Sequence, residues 1–305
     1  MSEVGAPRHD PVPIGEVSAP PFVRLPDPLA LFVARSQRFR ALAQGNELAP
    51  YLRFLGDLAE AQYRIQDDLP EPELPAVDAI ARAREFAMPP LDRGRFTADP
   101  AFEATLDRLL PLMQTIEMPP VAAAALARVI EADVATRDAM VRALLADSVA
   151  VETLAEHVFV AAALQVHFAR LASRLDGEKL VPVGDGVCPA CGGPPVSSMV
   201  VGWQGAHGAR FCACSLCGTL WNYVRIKCTL CGSTKGISYQ EVEGGPGTIK
   251  AETCDACHGY VKVLQQQKDP AVDPIADDVA NLGLDLLVRE SGYRRGGFNP
   301  FLLGY

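Results

Sequence analysis

Cys188-Pro189-Ala190-Cys191 opens a run of four Cys-x-x-Cys pairs, which continues with Cys214-Ser215-Leu216-Cys217, Cys228-Thr229-Leu230-Cys231 and Cys254-Asp255-Ala256-Cys257. In each half of this run, 22 residues separate the first pair from the second. A shift of 40 positions places the first two pairs on the last two. This regularity indicates an internal repeat, so we predict two copies of one small module.

Each predicted module contains four thiols in a spacing that is typical of a metal site. Two Cys-x-x-Cys turns on facing hairpins place four sulfurs around one tetrahedral ion, and a loop of about twenty residues commonly separates them. The predicted ligands are the paired cysteines Cys188, Cys191, Cys214, Cys217, Cys228, Cys231, Cys254 and Cys257. Four thiolates suit either zinc or iron. The segment 188–192 is similar to a rubredoxin knuckle and favours iron, with zinc as the alternative.

Other roles for these cysteines are less consistent with the sequence. A redox dithiol of the thioredoxin type lies in a βαβ unit, which does not surround these pairs. Structural disulfides belong to oxidising compartments, and no signal peptide is present. Cys212 could share a strand face with Cys214, but the quartet is complete without it, so we expect a non-ligand, with a reserve or redox thiol as the alternative. His258 stands where glycine follows the other three pairs, and no ligand role is expected for it.

Composition limits the class of protein. The chain has 305 residues, of which 49% are apolar and 21% charged, as expected for a soluble globular protein of about two domains. The net charge of -9 opposes nucleic-acid binding, which requires a basic surface. The apolar run 158–164 is too short to span a membrane. Without a targeting sequence, the expected location is the cytoplasm.

The chain before the cysteines reads as an arm followed by a helical domain. Proline-rich residues 1–28 are expected to be disordered or extended. Apolar residues recur at helical spacing through 29–180, and Asp99-Pro100 is a typical helix start. His157 and His167 are about 15 Å apart on an ideal helix, so separate core roles are expected. No phosphate loop, nucleophile elbow or His-Glu-x-x-His motif occurs, and a non-enzymatic role is predicted.

The remaining chain reads as two small β modules and a helical C-terminal segment. The predicted domains are the first four-cysteine module at 181–226, the second at 227–268, and a helix with a docking tail at 269–305. The predicted strands are 196–203, 220–226, 237–242 and 260–264. The last helix is predicted at about 275–291. The fold class is therefore α+β: an all-α domain, two tandem rubredoxin-like or zinc-ribbon modules, and a C-terminal helix whose tail docks on the body or meets a partner.

Four motifs resemble those of a known family. They are Cys188-Pro189-Ala190-Cys191-Gly192 with Pro195-Val196-Ser197-Ser198-Met199 behind it; Arg225-Ile226-Lys227-Cys228; Lys250-Ala251-Glu252-Thr253-Cys254; and Lys268-Asp269-Pro270 with Ala276-Asp277-Asp278 and Asn299-Pro300-Phe301. They are similar to motifs of the FdhE family of formate dehydrogenase accessory proteins. The resemblance implies iron held by the eight paired cysteines. It also implies a cytoplasmic role in maturing respiratory formate dehydrogenase, with that enzyme's catalytic subunit as the partner.

Three hypotheses for the function follow. The first is a non-enzymatic assembly factor that recognises the immature enzyme through its metal modules and tail. The second is a rubredoxin-type electron carrier, because an iron–tetrathiolate centre can transfer one electron. The third, a zinc-ribbon protein that binds nucleic acid, is opposed by the acidic charge.

Overall fold

The computed structural model describes residues 19–302, and most of its helices precede the cysteine-rich part. The helices before the cysteines are α1 (Pro28–Leu42), α2 (Ala49–Arg64), α3 (Val77–Glu85), α4 (Pro100–Met113), α5 (Pro120–Glu131), α6 (Val134–Leu145) and α7 (Leu154–Ser173). Their starts follow local chemistry: Asp27, Asp99 and Asp133 each accept a hydrogen bond from a backbone N–H of the first turn. The predicted start at Asp99-Pro100 is confirmed.

Helix α7 forms the centre of the helical domain. Most of its residues are buried, and α4, α5 and α6 pack around it. It begins at Leu154, after a short 3₁₀ turn at Val151–Thr153, rather than at the predicted residue 149. His157 Nδ1 lies 2.6 Å from the carbonyl oxygen of Thr153, whereas His167 is buried among aromatic rings. The two histidines therefore have separate core positions, as predicted.

The cysteine-rich part forms one continuous sheet instead of two separate sheets. Its strands are β1 (Val23–Arg24), β2 (Pro195–Val200), β3 (Arg210–Cys214), β4 (Leu220–Asn222), β5 (Ile237–Gln240), β6 (Ile249–Cys254), β7 (Gly259–Gln265) and β8 (Arg294–Arg295). The order is β1-β4-β3-β2-β7-β6-β5, with β8 beside β7. A shift of 40 positions relates β2, β3 and β4 to β5, β6 and β7. The two modules are joined where β2 pairs in parallel with β7, with Met199 opposite Leu264.

Strands β3 and β6 were missed by the sequence analysis, and other boundaries differ. Both strands run into a cysteine pair and carry buried charged residues, Arg210 and Glu252, which obscure the apolar alternation of a strand. The strand predicted at 220–226 ends at Asn222. Within the predicted arm 1–28, residues 23–24 pair with β4, and residues 1–18 lie outside the described part of the chain.

The predicted last helix is two helices, α8 (Ala276–Ala280) and α9 (Leu282–Glu290). The break lies at Asn281, and the buried ammonium group of Lys262 explains it. Lys262 Nζ donates hydrogen bonds to the carbonyl oxygens of Asp278 and Asn281, at 2.8 and 3.0 Å. The carbonyl oxygen of Asp278 is thereby bound by a side chain from β7 rather than by the next turn of helix, whereas that of Asn281 also accepts from the backbone N–H of Leu284 at 3.1 Å.

The C-terminal segment docks on the body of the protein as far as residue 302. Phe301 and Leu302 are buried in the core that contains the helical domain. The Tyr51 hydroxyl donates a hydrogen bond to the carbonyl oxygen of Phe301 at 2.8 Å. Near the start of this segment, Arg38 on α1 lies 2.6 Å from Asp277. The helices and the tail thus pack against the sheet in two separate apolar clusters. None of the described helices combines the length and apolar character needed to cross a bilayer.

Candidate metal centres

The first cysteine quartet is arranged as a tetrahedral site requires. Cys188 Sγ lies 3.7 Å from Cys217 Sγ, and Cys191 Sγ lies 3.4 Å from Cys214 Sγ. All four sulfurs lie within 4.8 Å of one another. A tetrahedral ion with metal–sulfur bonds of about 2.3 Å separates its ligands by about 3.8 Å. The sulfur positions therefore fit one ion.

The second quartet has the same geometry. Cys228 Sγ lies 3.8 Å from Cys257 Sγ, and Cys231 Sγ lies 3.7 Å from Cys254 Sγ. The sulfurs are again within 4.8 Å of one another, and each quartet is drawn from a single repeat. Four thiolates in this arrangement suit zinc or iron. The chain therefore has, among residues 19–302, two tetracysteine sites that could hold a metal ion.

The turns after the cysteine pairs explain the glycines in the repeat. Gly192, Gly218 and Gly232 have φ values of 72–75°, and His258 has a φ of 53° at the fourth position. Within the pairs, backbone N–H groups also point at sulfur: Leu216 N, for example, lies 3.4 Å from Cys214 Sγ. The turn after Cys257 forms without a glycine. His258 therefore adopts a conformation that costs roughly 1 kcal/mol for a residue with a Cβ.

Protonation of the first quartet depends on burial and on contacts between the thiols. Burial raises the pKa of Cys188 and of Cys191 well above the ordinary value for a thiol. Burial also opposes ionisation of Cys214, but hydrogen bonds from the other three thiols outweigh it and lower the pKa of Cys214. Binding of an ion would displace the remaining protons, so metal affinity should fall in acid.

Cys212 lies outside both quartets. It is fully buried on β3, opposite Trp221. Burial raises the pKa of its thiol to about 12. A thiol that is buried and protonated at neutral pH is a poor nucleophile and a poor redox group. The structure therefore favours the predicted non-ligand over a reserve or redox thiol.

The first quartet is built into the contact between the helical domain and the sheet. Its cysteines belong to the same buried core as α7. Backbone N–H groups of Leu91 and Arg93 donate to the carbonyl oxygens of Ala190 and Cys191, at 2.9 and 3.0 Å. From α7, Gln165 donates a hydrogen bond of 2.8 Å to the carbonyl oxygen of Ser215. The helical domain thus contacts both cysteine turns of this site.

The second quartet lies at the surface. Cys231 is exposed and Cys257 is half-buried, whereas Cys228 and Cys254 are buried. Three cations lie close to this quartet in the sequence. Lys227 Nζ lies 2.6 Å from Asp185, while Arg225 and Lys235 are exposed to solvent.

The C-terminal segment contains a buried ion cluster that the sequence did not predict. Lys262 Nζ lies 3.2 Å from Asp278 Oδ1 and 2.5 Å from Asp285 Oδ2, and Arg295 contacts the same two carboxylates. Asn299 Nδ2 donates to Asp278 at 2.8 Å. Burial raises the pKa of Asp278, but the Lys262 and Arg295 cations outweigh this and hold that pKa below its ordinary value. Two members of the cluster, Asp278 and Asn299, belong to the motifs that resemble those of a known family. That resemblance was the sign in the sequence by which these residues could have been found.

The fold and the two quartets define a class of protein: a helical domain joined to a sheet made of two fused tetracysteine modules. Three family models match consecutive parts of the chain: "FdhE, N-terminal" over residues 20–185, "FdhE, central domain" over 187–225 and "FdhE, C-terminal domain" over 226–302. The chain belongs to the FdhE family.

Individual relatives agree with the family models. An FdhE homolog from Rhizobium meliloti is 50% identical over 298 residues, which is 97% of each chain. An FdhE homolog from Edwardsiella ictaluri is 37% identical over 284 residues, covering 91% of this chain and 90% of that one. The crystal structure of the FdhE protein from Pseudomonas aeruginosa matches with a TM-score of 0.83 and 34% identity, over 93% of this chain and 99% of that chain. The expected family is confirmed.

Proposed function

We propose that this protein is a non-enzymatic accessory factor that binds the catalytic subunit of formate dehydrogenase in the cytoplasm, before that subunit is exported. The eight paired cysteines are the ligands of two metal ions. The observation that carries the proposal is the match of all three FdhE regions to a chain whose cysteines close into two quartets. The domain boundaries predicted from the sequence, at residues 180, 226 and 268, separate the helical domain, the two cysteine modules that bind metal, and the C-terminal segment.

The surface beside the second quartet is the proposed docking site. Val224 and Ile226 are 65% and 68% exposed, and they lie just before Cys228 in the chain. The backbone between them is held to the sheet, because the Tyr239 hydroxyl donates to the carbonyl oxygen of Arg225 at 3.3 Å. Apolar side chains presented on a fixed loop are typical of protein contact sites. We call residues 224–226 the docking loop.

Iron is the proposed metal at both centres. The rubredoxin-like knuckle at 188–192 supports this choice, and four thiolates are a suitable ligand set. Bound iron would supply a one-electron redox centre. The exposed Cys231 favours an electron carrier as the second candidate function, because an electron can reach a partner through a ligand at the surface. A colourless, zinc-containing native protein would exclude both the redox role and this second candidate.

Capture of the catalytic subunit tests the proposed function. Ile226→Glu should reduce capture at least about tenfold, because a charge would be buried against an apolar contact. The matched control is Val77→Glu on α3, where an even more exposed apolar residue lies in the helical domain. If both variants capture the subunit as well as the unmodified protein does, the docking loop is not the contact. If the unmodified protein captures none, the proposed partner is wrong.

A further inference from the structure

We infer that the two centres have different tasks: the first is a permanent cross-link between the helical domain and the sheet, and the second exchanges a ligand with thiols that arrive from solution. This inference rests on the proposed function, because it requires a metal ion in both quartets. It assigns the exchange to Cys231.

Burial separates the two quartets. All four cysteines of the first are buried, and three of them are completely inaccessible to solvent. In the second, Cys231 is exposed and Cys257 half-buried. An incoming ligand can therefore reach the second ion along the side that Cys231 occupies. It can reach the first ion only if the surrounding core opens.

The helical domain closes both glycine turns of the first quartet. A Cβ added at Gly192 would lie 3.1 Å from Pro89 Cγ, and one at Gly218 would lie 2.7 Å from Leu31 Cδ2. The backbone bonds from Leu91 and Arg93 cover the turn between Cys188 and Cys191 as well. Release of an ion from this quartet requires the helical domain to separate from the sheet. The ion in turn opposes that separation, which is the action of a structural cross-link.

The linker that precedes Cys188 and the C-terminal segment both contact the second quartet, but they leave Cys231 exposed. The C-terminal segment packs against its fourth cysteine turn, where Arg294 N donates to the carbonyl oxygen of His258 at 2.8 Å. Leu230 fills the space beside two glycines, since a Cβ at Gly259 or Gly296 would lie within 2.5 Å of its side chain. The outer turn, which carries Cys231, has exposed neighbours at Thr234 and Lys235. Leu230 and the linker hold the rest of this turn, since a Cβ at Gly186 would overlap the carbonyl oxygen of Thr229. Release of Cys231 therefore requires only that its own exposed side chain rotate away from the ion, without unpacking the core.

The exchange is a ligand substitution. A thiol from solution forms a sulfur–metal bond through its thiolate, and the bond between the ion and Cys231 Sγ breaks. The proton of the incoming thiol passes to the released Cys231 thiolate, so the charge of the centre and the oxidation state of the metal are unchanged. Thiols are the appropriate class of ligand because an ion with four thiolate ligands prefers soft donors.

Metal release from the full-length protein, loaded with two zinc ions, tests the inference. The probes are the chromogenic chelator 4-(2-pyridylazo)resorcinol, with and without glutathione, and N-ethylmaleimide followed by peptide mass spectrometry. One ion should leave first, faster with glutathione, while alkylation begins at Cys231. The second ion should leave more than about tenfold more slowly, because its release requires local opening of the core.

Variants distinguish this inference from the proposed function. Cys231→Ser should remove the fast phase and keep the slow ion, whereas Cys212→Ala, two residues from a first-centre ligand, should keep both phases. Two ions released at one rate, or first alkylation at Cys191 or Cys214, would overturn the division of tasks and leave the proposed function standing. A protein that binds no ion at all would overturn both.

Discussion

Arg210 on β3 and Glu252 on β6 form a buried ion pair that joins the two repeats. Nη2 of Arg210 lies 2.8 Å from Oε1 of Glu252, and Nη1 donates to Oε2 at 3.0 Å. The Tyr239 hydroxyl also donates to Glu252, and Arg210 Nε donates to the Ser198 hydroxyl. Glu252 occupies the repeat position of Cys212, so the repeats differ where they meet.

The first prediction concerns this ion pair. Glu252→Gln should lower the free energy of unfolding by about 3 kcal/mol, because it leaves the guanidinium of Arg210 buried without its counter-charge. The double variant Arg210→Met/Glu252→Leu should lose less than the sum of the single variants. Urea unfolding of the metal-loaded proteins measures both effects. Asp57→Asn, at an exposed pair with Arg40, is the control and should change stability by less than about 1 kcal/mol. Equal losses of stability in Glu252→Gln and Asp57→Asn would contradict a stabilising role for the buried ion pair.

The second prediction separates ligands from the ninth cysteine. Cys214→Ser should lower the metal content by one ion per chain, because it removes one corner of the first quartet. Cys212→Ala, two residues earlier on the same strand, should retain the full metal content. Elemental analysis of the two variants measures the difference. Loss of an ion from Cys212→Ala would show that the quartet has been assigned incorrectly.

The third prediction concerns the turn at His258, whose φ of 53° is unfavourable for a residue with a Cβ. His258→Gly should stabilise the metal-loaded protein by up to about 1 kcal/mol, because glycine adopts this conformation without the steric cost. Gly232→Ala, at the equivalent turn of the same quartet, should destabilise it by at least this amount, because the added Cβ would also lie 2.6 Å from Asp185 Oδ2. Thermal unfolding compares the two. A destabilised His258→Gly would indicate that the imidazole makes a favourable contact that outweighs the strain.

The fourth prediction is a pH dependence that arises in the helical core. Burial lowers the pKa of His167 to about 4, although Asp99 Oδ2, 3.6 Å away, acts in the opposite direction. The unfolded chain, with a pKa near 6.5 at this residue, therefore binds one more proton between about pH 6.5 and pH 4. In that window stability falls as the pH falls, by up to about 3 kcal/mol from this residue.

The variant His167→Phe removes this contribution and keeps an aromatic ring beside Phe96 and Phe102. Its stability should therefore fall less steeply than that of the unmodified protein as the pH is lowered from 7 to 4.5. Acid also releases metal from both proteins, so the difference between the two curves is the informative quantity. Parallel curves of unfolding free energy against pH would contradict the assignment of this pH dependence to His167.

Local patterns made much of the fold predictable. The cysteine spacing predicted two quartets, each within one repeat, and Asp99-Pro100 marked the start of a helix correctly. The pairing of β2 with β7 was not predictable, because nothing in either repeat specifies that their edges join in parallel. The break at Asn281 was also hidden, since it depends on Lys262, which is close only after folding. The unequal exposure of the two centres likewise results from long-range packing of the helical domain.

The central claim is that each quartet encloses one ion. The most direct test is sulfur-coordination analysis by X-ray absorption at the metal edge, combined with elemental analysis of the untagged protein. The account predicts two ions per chain, each with four sulfur neighbours at about 2.3 Å. Fewer than two ions in fully loaded protein, a first coordination shell with oxygen or nitrogen, or disulfides among the paired cysteines would contradict it.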